Sequence, residues 1–418
     1  MMKKNYVLVV LILLVFFVIS FLTNILGALN PSVSFSYSLS ETMAGFLPFS
    51  FFIAYGVMSI PAGFLTKKYG EKKMMLFGFA LAFIASIIFV YKPSFNVFIF
   101  SLFTIGTGMA ILQVVINPLL RVSGGKENYA FTSVMAQLIF GAASFVSPLV
   151  YSWLVTNMGN DENTNSIINL LSKFTSVNMS WTSIYWVFAI LSLILIVFTF
   201  FIKFPNISLD ENEKVGTKDS YLMLFKNKTV QLFFFALFAY VGVEQGISFW
   251  MSKFLQTYHG FNYETMGAQA VANFWGLMTL GGVTGLILLK FLDSKLLLKL
   301  FTLLALISLS LGLFGSAQIS FYTFQACGFF LSVMYPIIFS LALNSVDKHH
   351  GAFAGILVTG IMGGAVVQLL IGFISDFTSL KAGMFINFGL LIYIFYIGYW
   401  AKPLINNKTI NLNNKLKK

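Results

Sequence analysis

Fourteen of the 418 residues are Asp or Glu, and one of them, Glu244, sits in the middle of a long apolar run. The others (Glu41, Glu71, Glu127, Asp161, Glu162, Asp210, Glu211, Glu213, Asp219, Glu264, Asp293, Asp347 and Asp376) fall between such runs or near their ends. An ionised acid at the centre of a membrane helix costs roughly 2.5–3.5 kcal/mol, so Glu244 needs a reason to be there. Coupling to a proton or cation is one, and hydrogen bonding to a hydroxylated ligand is another. A protonated acid bonded to a neighbouring helix is the plain structural alternative.

The other polar groups inside apolar runs are mostly neutral amides. They are Asn24, Gln113, Asn117, Gln137, Gln245, Gln269, Asn273 and Gln368, joined by the aromatic residues Trp250, Trp275 and Tyr335. Gln113 and Asn117 are four apart and share one helix face. Buried polar groups require partners, and amides that both donate and accept suit the hydroxyls of a neutral sugar, with Trp or Tyr against its apolar face. The competing use is hydrogen-bonded glue between helices. An anionic substrate would call for an embedded Arg or Lys, and the centres of the runs hold none.

These residues must be carried by membrane helices. Hydrophobic residues make up 58% of the chain and charged residues 10%, against about 25% charged in soluble domains. Twelve apolar runs are expected to span at about 6–29, 41–65, 74–91, 96–120, 129–157, 181–202, 229–256, 265–289, 296–314, 318–344, 351–375 and 380–401. They are too long and too uniformly apolar for barrel strands, and lipid leaves backbone groups no partner outside a helix. The first six are echoed by the last six. Asn24 pairs with Glu244, Gly63 with Gly285, Pro118 with Pro336, and Gly141 with Gly363, each offset by about 220 residues. A parallel six-plus-six repeat predicts two bundles around a shared central cavity, the architecture of a secondary transporter.

The net charge of +12 is topological. With both termini on one side, 22 of the 26 basic residues share it, leaving Lys92, Lys173, Lys253 and Lys381 opposite. The positive-inside rule then predicts cytoplasmic termini and anionic lipid, not nucleic acid, as the partner of the basic excess. The first run is too long for a signal peptide. A single cysteine, Cys327, excludes disulfides and thiolate metal clusters. The expected domains are 1–203, a charged linker 204–228, 229–403, and a basic tail 404–418. A short surface helix is expected somewhere in 158–180.

Gly63-Phe-Leu-Thr-Lys67-Lys68-Tyr-Gly70-Glu-Lys72-Lys73 resembles the loop signature of the major facilitator superfamily, with Lys67 where that signature has an acid. Ile60-Pro-Ala-Gly63, Gln113-Val-Val-Ile-Asn117-Pro118, Ala136-Gln137, Tyr240-Val-Gly-Val-Glu244 and Tyr335-Pro-Ile-Ile-Phe-Ser340 are similar to its fucose–galactose–glucose proton symporter family. The resemblance covers essentially the whole chain. It implies sugar uptake through the bacterial inner membrane by alternating access, with an inner gate at Gly63, Lys67, Lys68 and Gly70. The fucose symporter's two acids correspond to Asn24 and Gln113, and the family's Gly-Arg pair reads Gly281-Gly282. Three schemes stay open: coupling through Glu244, sodium in place of the proton, and uncoupled passage.

The expected fold is therefore all-α, with 12 transmembrane helices in two six-helix bundles. Asn24, Gln113, Asn117, Gln137, Gln245 and Asn273 are the expected hydroxyl-binding residues, Trp250 or Tyr335 the stacking group, and Glu244 the coupling residue. No cofactor or metal is called for beyond a coupling proton or sodium ion, and one chain suffices for one pathway. The nearest rival is an exporter or carrier of another small metabolite or drug. A membrane enzyme would need clustered acids, His or Cys, whereas His259, His349 and His350 lie in loops and Glu244 has no acidic companion. A channel would need a filter-like loop, which the repeat does not provide.

Overall fold

The computed structural model of the chain describes residues 6–124, 129–158, 165–204 and 218–404. Among them are twelve helices long and apolar enough to cross a membrane. In chain order they are α1 (Tyr6–Ser36), α2 (Glu41–Tyr69), α3 (Glu71–Tyr91), α4 (Phe95–Ile116), α5 (Thr132–Asn157), α6 (Asn178–Phe201), α7 (Lys228–His259), α8 (Tyr263–Leu288), α9 (Ser294–Phe314), α10 (Ala317–Leu343), α11 (His350–Phe377) and α12 (Leu380–Trp400). The shortest have 21 residues, just enough for a hydrocarbon core of about 30 Å. The helix of α4 continues to Gly124.

The first span runs seven residues past its expected end at 29. Asn30, Pro31, Ser32 and Ser34 read as a loop, yet they are helical and buried. The span is broken at Asn24–Ile25, and a second helical piece begins at Leu26. Pro31 is the sixth residue of that piece, so it withholds an N–H from the Gly27 carbonyl inside the helix. The polar side chains are satisfied by packing: Asn30 Nδ2 donates to the Phe249 carbonyl at 3.2 Å, and Ser34 Oγ to Asn30 Oδ1 at 3.1 Å. Breaks also fall in α10, between Leu331 and Met334, and in α11 as a 3-10 turn at Gly360–Met362.

Within the first half, α1 packs on α5, α2 and α3 on α4, and α3 on α6. Within the second, α8 and α9 pack on α10, α7 on α11, and α9 and α7 on α12. The halves meet along α2–α11, α5–α8 and the ends of α1 and α7. A short helix at Ser166–Ser172 occupies the 158–180 segment, as its composition predicts. Another, Lys218–Lys226, ends the linker and buries Tyr221 and Leu224. Tyr221 lies 6.1 Å from the Phe64 ring of α2 and against Gly355 of α11, so this helix touches both halves. Residues 205–217 of the linker and the basic tail from residue 405 lie outside the described residues.

Lys67, Lys68, Lys72, Lys73, Lys228, Lys290 and Lys295 gather at the ends where α1 begins and α12 finishes, hereafter the basic face. At the opposite face the halves are locked together. A Cβ on Gly27 of α1 would collide with the Ser248 carbonyl of α7, and one on Gly372 of α11 with the Glu41 carbonyl of α2. Only glycine permits backbones this close. Lys253 of α7 pairs with Glu41 at 2.7 Å and donates to Ser34 at 3.3 Å. Asp376 of α11 accepts the Glu41 and Thr42 N–H groups at 2.7 and 3.0 Å, capping α2 from the other half.

Candidate functional site

Glu244 lies halfway along α7. One turn earlier, the buried Tyr240 donates its hydroxyl to Glu244 Oε1 at 2.7 Å. The i, i+4 spacing places both groups on one helix face. Tyr335, just after the break in α10, stands 5.7 Å from the Tyr240 ring and stacks at 5.8 Å on Phe339. Tyr55 of α2, also buried, faces the same region from the first half, within electrostatic range of Tyr335 and with its hydroxyl at Thr23 of α1. Glu244 is thus part-buried and hydrogen-bonded by Tyr240, with the hydroxyls of Tyr335 and Tyr55 in the surrounding region.

From Tyr335 a cavity of about 420 Å³ runs toward the basic face, lined by Gln137, Pro336, Phe339, Ser340, Leu343 and Asn344. Leu343 and Asn344 form the basic-face end of α10, so the cavity opens on that face while the opposite face is closed. Its lining holds amides, hydroxyls and aromatic rings and no charged side chain. A second cavity, of about 480 Å³, lies among α5, α8 and α10, with Asn273 and Gln325 on its wall.

The expected site residues divide into those on cavity walls and those committed to packing. Gln137 and Tyr335 line the first cavity, and Asn273 the second. Asn24 is 5% exposed, and its Nδ2 donates to Ser144 at 2.8 Å and to Ser20 at 3.4 Å. It joins the break in α1 to α5 and serves the chain as interhelical glue. Gln245 is buried against Gly364 of α11. Trp250 is wholly buried, edge-on to Phe249 at 4.9 Å, and lines neither cavity, which corrects its expected place as a stacking group. Gln113 is half-buried on α4, and the side chain of Asn117 lies outside the described residues. Gln368 ties α11 to α7 through the Gly242 carbonyl at 3.1 Å.

In the basic-face loop, Gly63 is buried in α2 and Gly70 ends that helix at φ +85°, where a side chain would be strained. Lys67 and Lys68 are exposed, with Lys68 over the Tyr69 ring at 5.1 Å. Lys72 caps the end of α6, donating to the Phe200 and Ile202 carbonyls at 2.7 and 2.8 Å. Tyr55, Thr23, Ser144 and Gln325 are absent from the sequence-based set. Each is a lone hydroxyl or amide within an apolar run, and only its neighbours give it meaning. Among the described residues no three His, Cys, Asp or Glu side chains gather as a metal site.

The glucose/galactose transporter of Brucella abortus biovar 1 (strain 9-941) is 29% identical over 381 residues, covering 90% of this chain and 89% of that protein. The L-fucose-proton symporter of Escherichia coli (strain K12) is 26% identical over 377 residues, covering 86% and 85%. Among solved structures, the major facilitator transporter FucP in the outward conformation aligns with a TM-score of 0.68 at 21% identity, covering 94% of this chain and 98% of that one. A bacterial homologue of the human lysosomal transporter Spinster, inward-facing and unoccupied, aligns at 0.75 with 13% identity, covering 95% and 98%. These two likenesses establish the fold. The family model of the Major Facilitator Superfamily matches residues 12–367, and the chain belongs to that superfamily.

Proposed function

We propose that the chain is a secondary transporter that imports a neutral hexose-type sugar across a bacterial inner membrane by alternating access. The observation that carries this reading is one part-buried acid deep in a span, Glu244, held by Tyr240 beside a cavity lined by neutral amides and aromatic rings. The whole-length similarity to a glucose/galactose transporter and a fucose-proton symporter supports it. In this reading the basic face is cytoplasmic by the positive-inside rule, both termini lie inside, and the structure is the inward-open, sugar-releasing state. Gln137 bonds hydroxyls while Tyr335 covers the apolar sugar face.

Glu244 is the coupling residue, and its ion is a proton. Tyr240 points an O–H at the carboxylate, which competes with a bound metal cation, whereas a proton needs only one free oxygen. Asn24 and Gln113 do not ionise, so neither of these positions carries a coupling proton. The test is uptake of labelled glucose, galactose, fucose, mannose and N-acetylglucosamine into proteoliposomes under an inward proton gradient, an inward sodium gradient or none. Accumulation driven by protons and abolished in Glu244→Gln is the expected result. Drive by sodium would overturn the proton assignment, and equilibration without accumulation would reduce Glu244 to a binding group. Absence of sugar uptake by folded protein would overturn the function.

A further inference from the structure

The second cavity contains a polar pair that the transport reading leaves unused. Asn273 Nδ2 of α8 donates to Gln325 Oε1 of α10 at 3.1 Å. Gln325 is 4% exposed, and its Nε2 is buried without a hydrogen-bond partner among the described residues. Turning the amide over would exchange an unpaired donor for an unpaired acceptor, so one unmet group remains either way. A buried polar group left unmet is costly, more so where lipid replaces water. The cavity beside it holds about 480 Å³ and is walled by Gly141, Phe145, Thr279 and Leu280 as well as the pair. That volume falls within the range of small-molecule sites. Its lining carries no charge, so it offers a cation or anion no counterion.

We propose that Asn273 and Gln325 form a second hydroxyl-binding station for a neutral sugar, nearer the opposite face than the Glu244 site. Gln325 lies ten residues before Tyr335 on α10, about 15 Å along the helix. One monosaccharide does not bridge the two, so this station is a separate stop on the same pathway. A sugar hydroxyl accepts from Gln325 Nε2 and donates in turn to a free amide oxygen of the pair. The apolar wall of Phe145 and Leu280 covers the C–H face of the ring. The proposal rests on the sugar-transport reading and adds a specificity site to it.

The experiment is equilibrium binding of labelled glucose, galactose, fucose, mannose and N-acetylglucosamine to full-length protein in lipid nanodiscs free of sugar-headed detergent. Each sugar competes with its monodeoxy analogues, and wild type is compared with Gln325→Leu and the closer isostere Gln325→Met. Folding is checked by thermal unfolding with a thiol-reactive dye at the buried Cys327. The expected result is an affinity loss of about three- to tenfold in both variants. One deoxy analogue, lacking the hydroxyl held here, loses nothing further when the amide is removed. Such a match between one hydroxyl and one side chain is not produced by interhelical glue. Wild type that binds sugar, with folded variants equally weakened or unchanged toward every analogue, overturns the station alone. Wild type that binds none of the five sugars overturns the sugar reading of the chain and the station with it.

Discussion

The lock at the opposite face sets how readily the two halves part there. Three of the first N–H groups of α2 have side-chain acceptors: Met43 bonds Ser40 of its own half, while Glu41 and Thr42 bond Asp376 of the other. Replacing a helix-capping acid by alanine costs about 1 kcal/mol, and the exposure of Asp376 keeps the expectation at that level. The Lys253–Glu41 pair is only 12% and 25% exposed, which places it near the upper end, about 1 kcal/mol, of the range for such pairs. Opening the opposite face breaks both. The double variant Asp376→Ala, Lys253→Met should therefore move the equilibrium between open and closed opposite faces by about 2 kcal/mol, or roughly 30-fold. Asp376→Ala alone should move it about fivefold, and Asp376→Asn, which keeps one acceptor, by less. Spin labels at Ser40 and Ser379, one in each half, report the opening as a longer distance in double electron–electron resonance. Because both interactions converge on Glu41, the single effects need not sum. A double variant whose open population changes less than threefold would refute the idea that these contacts hold the face closed.

Gly27→Val places side-chain atoms against the Ser248 carbonyl, and the same labels should report an opposite face that no longer closes, with uptake lost. Asn24→Leu removes a buried amide but leaves Ser20 and Ser144 bonded to each other, so it should cost only about 1–2 kcal/mol. Thermal unfolding should register that loss while relative sugar preference in uptake stays unchanged. Lys72→Met strips two carbonyl caps from the end of α6; a loss of about 1 kcal/mol in stability is expected, with no change in sugar affinity.

Much of this protein was legible in one dimension. Lipid tolerates neither charge nor open backbone, so twelve apolar runs could only be helices, and an acid as deep as Glu244 stood out by its cost. Its partner came from the structure: Tyr240, four residues away on the same face, entered the sequence reading only as part of a family-like motif. The lysine asymmetry marked out one face of the bundle, and the offset of about 220 residues separated the two halves. What the sequence could not decide was the neighbour of each polar side chain. In a soluble protein the polar stripe of a helix marks the side turned to water. In a membrane, lipid and protein interior are equally apolar, so periodicity leaves the cavity side unmarked. Asn24 and Gln137 look alike in the sequence. Folding gives Asn24 to Ser144 and leaves Gln137 on a cavity wall, while Gln325, one amide in an apolar run, acquires a meaning only when Asn273 is brought to it from another helix.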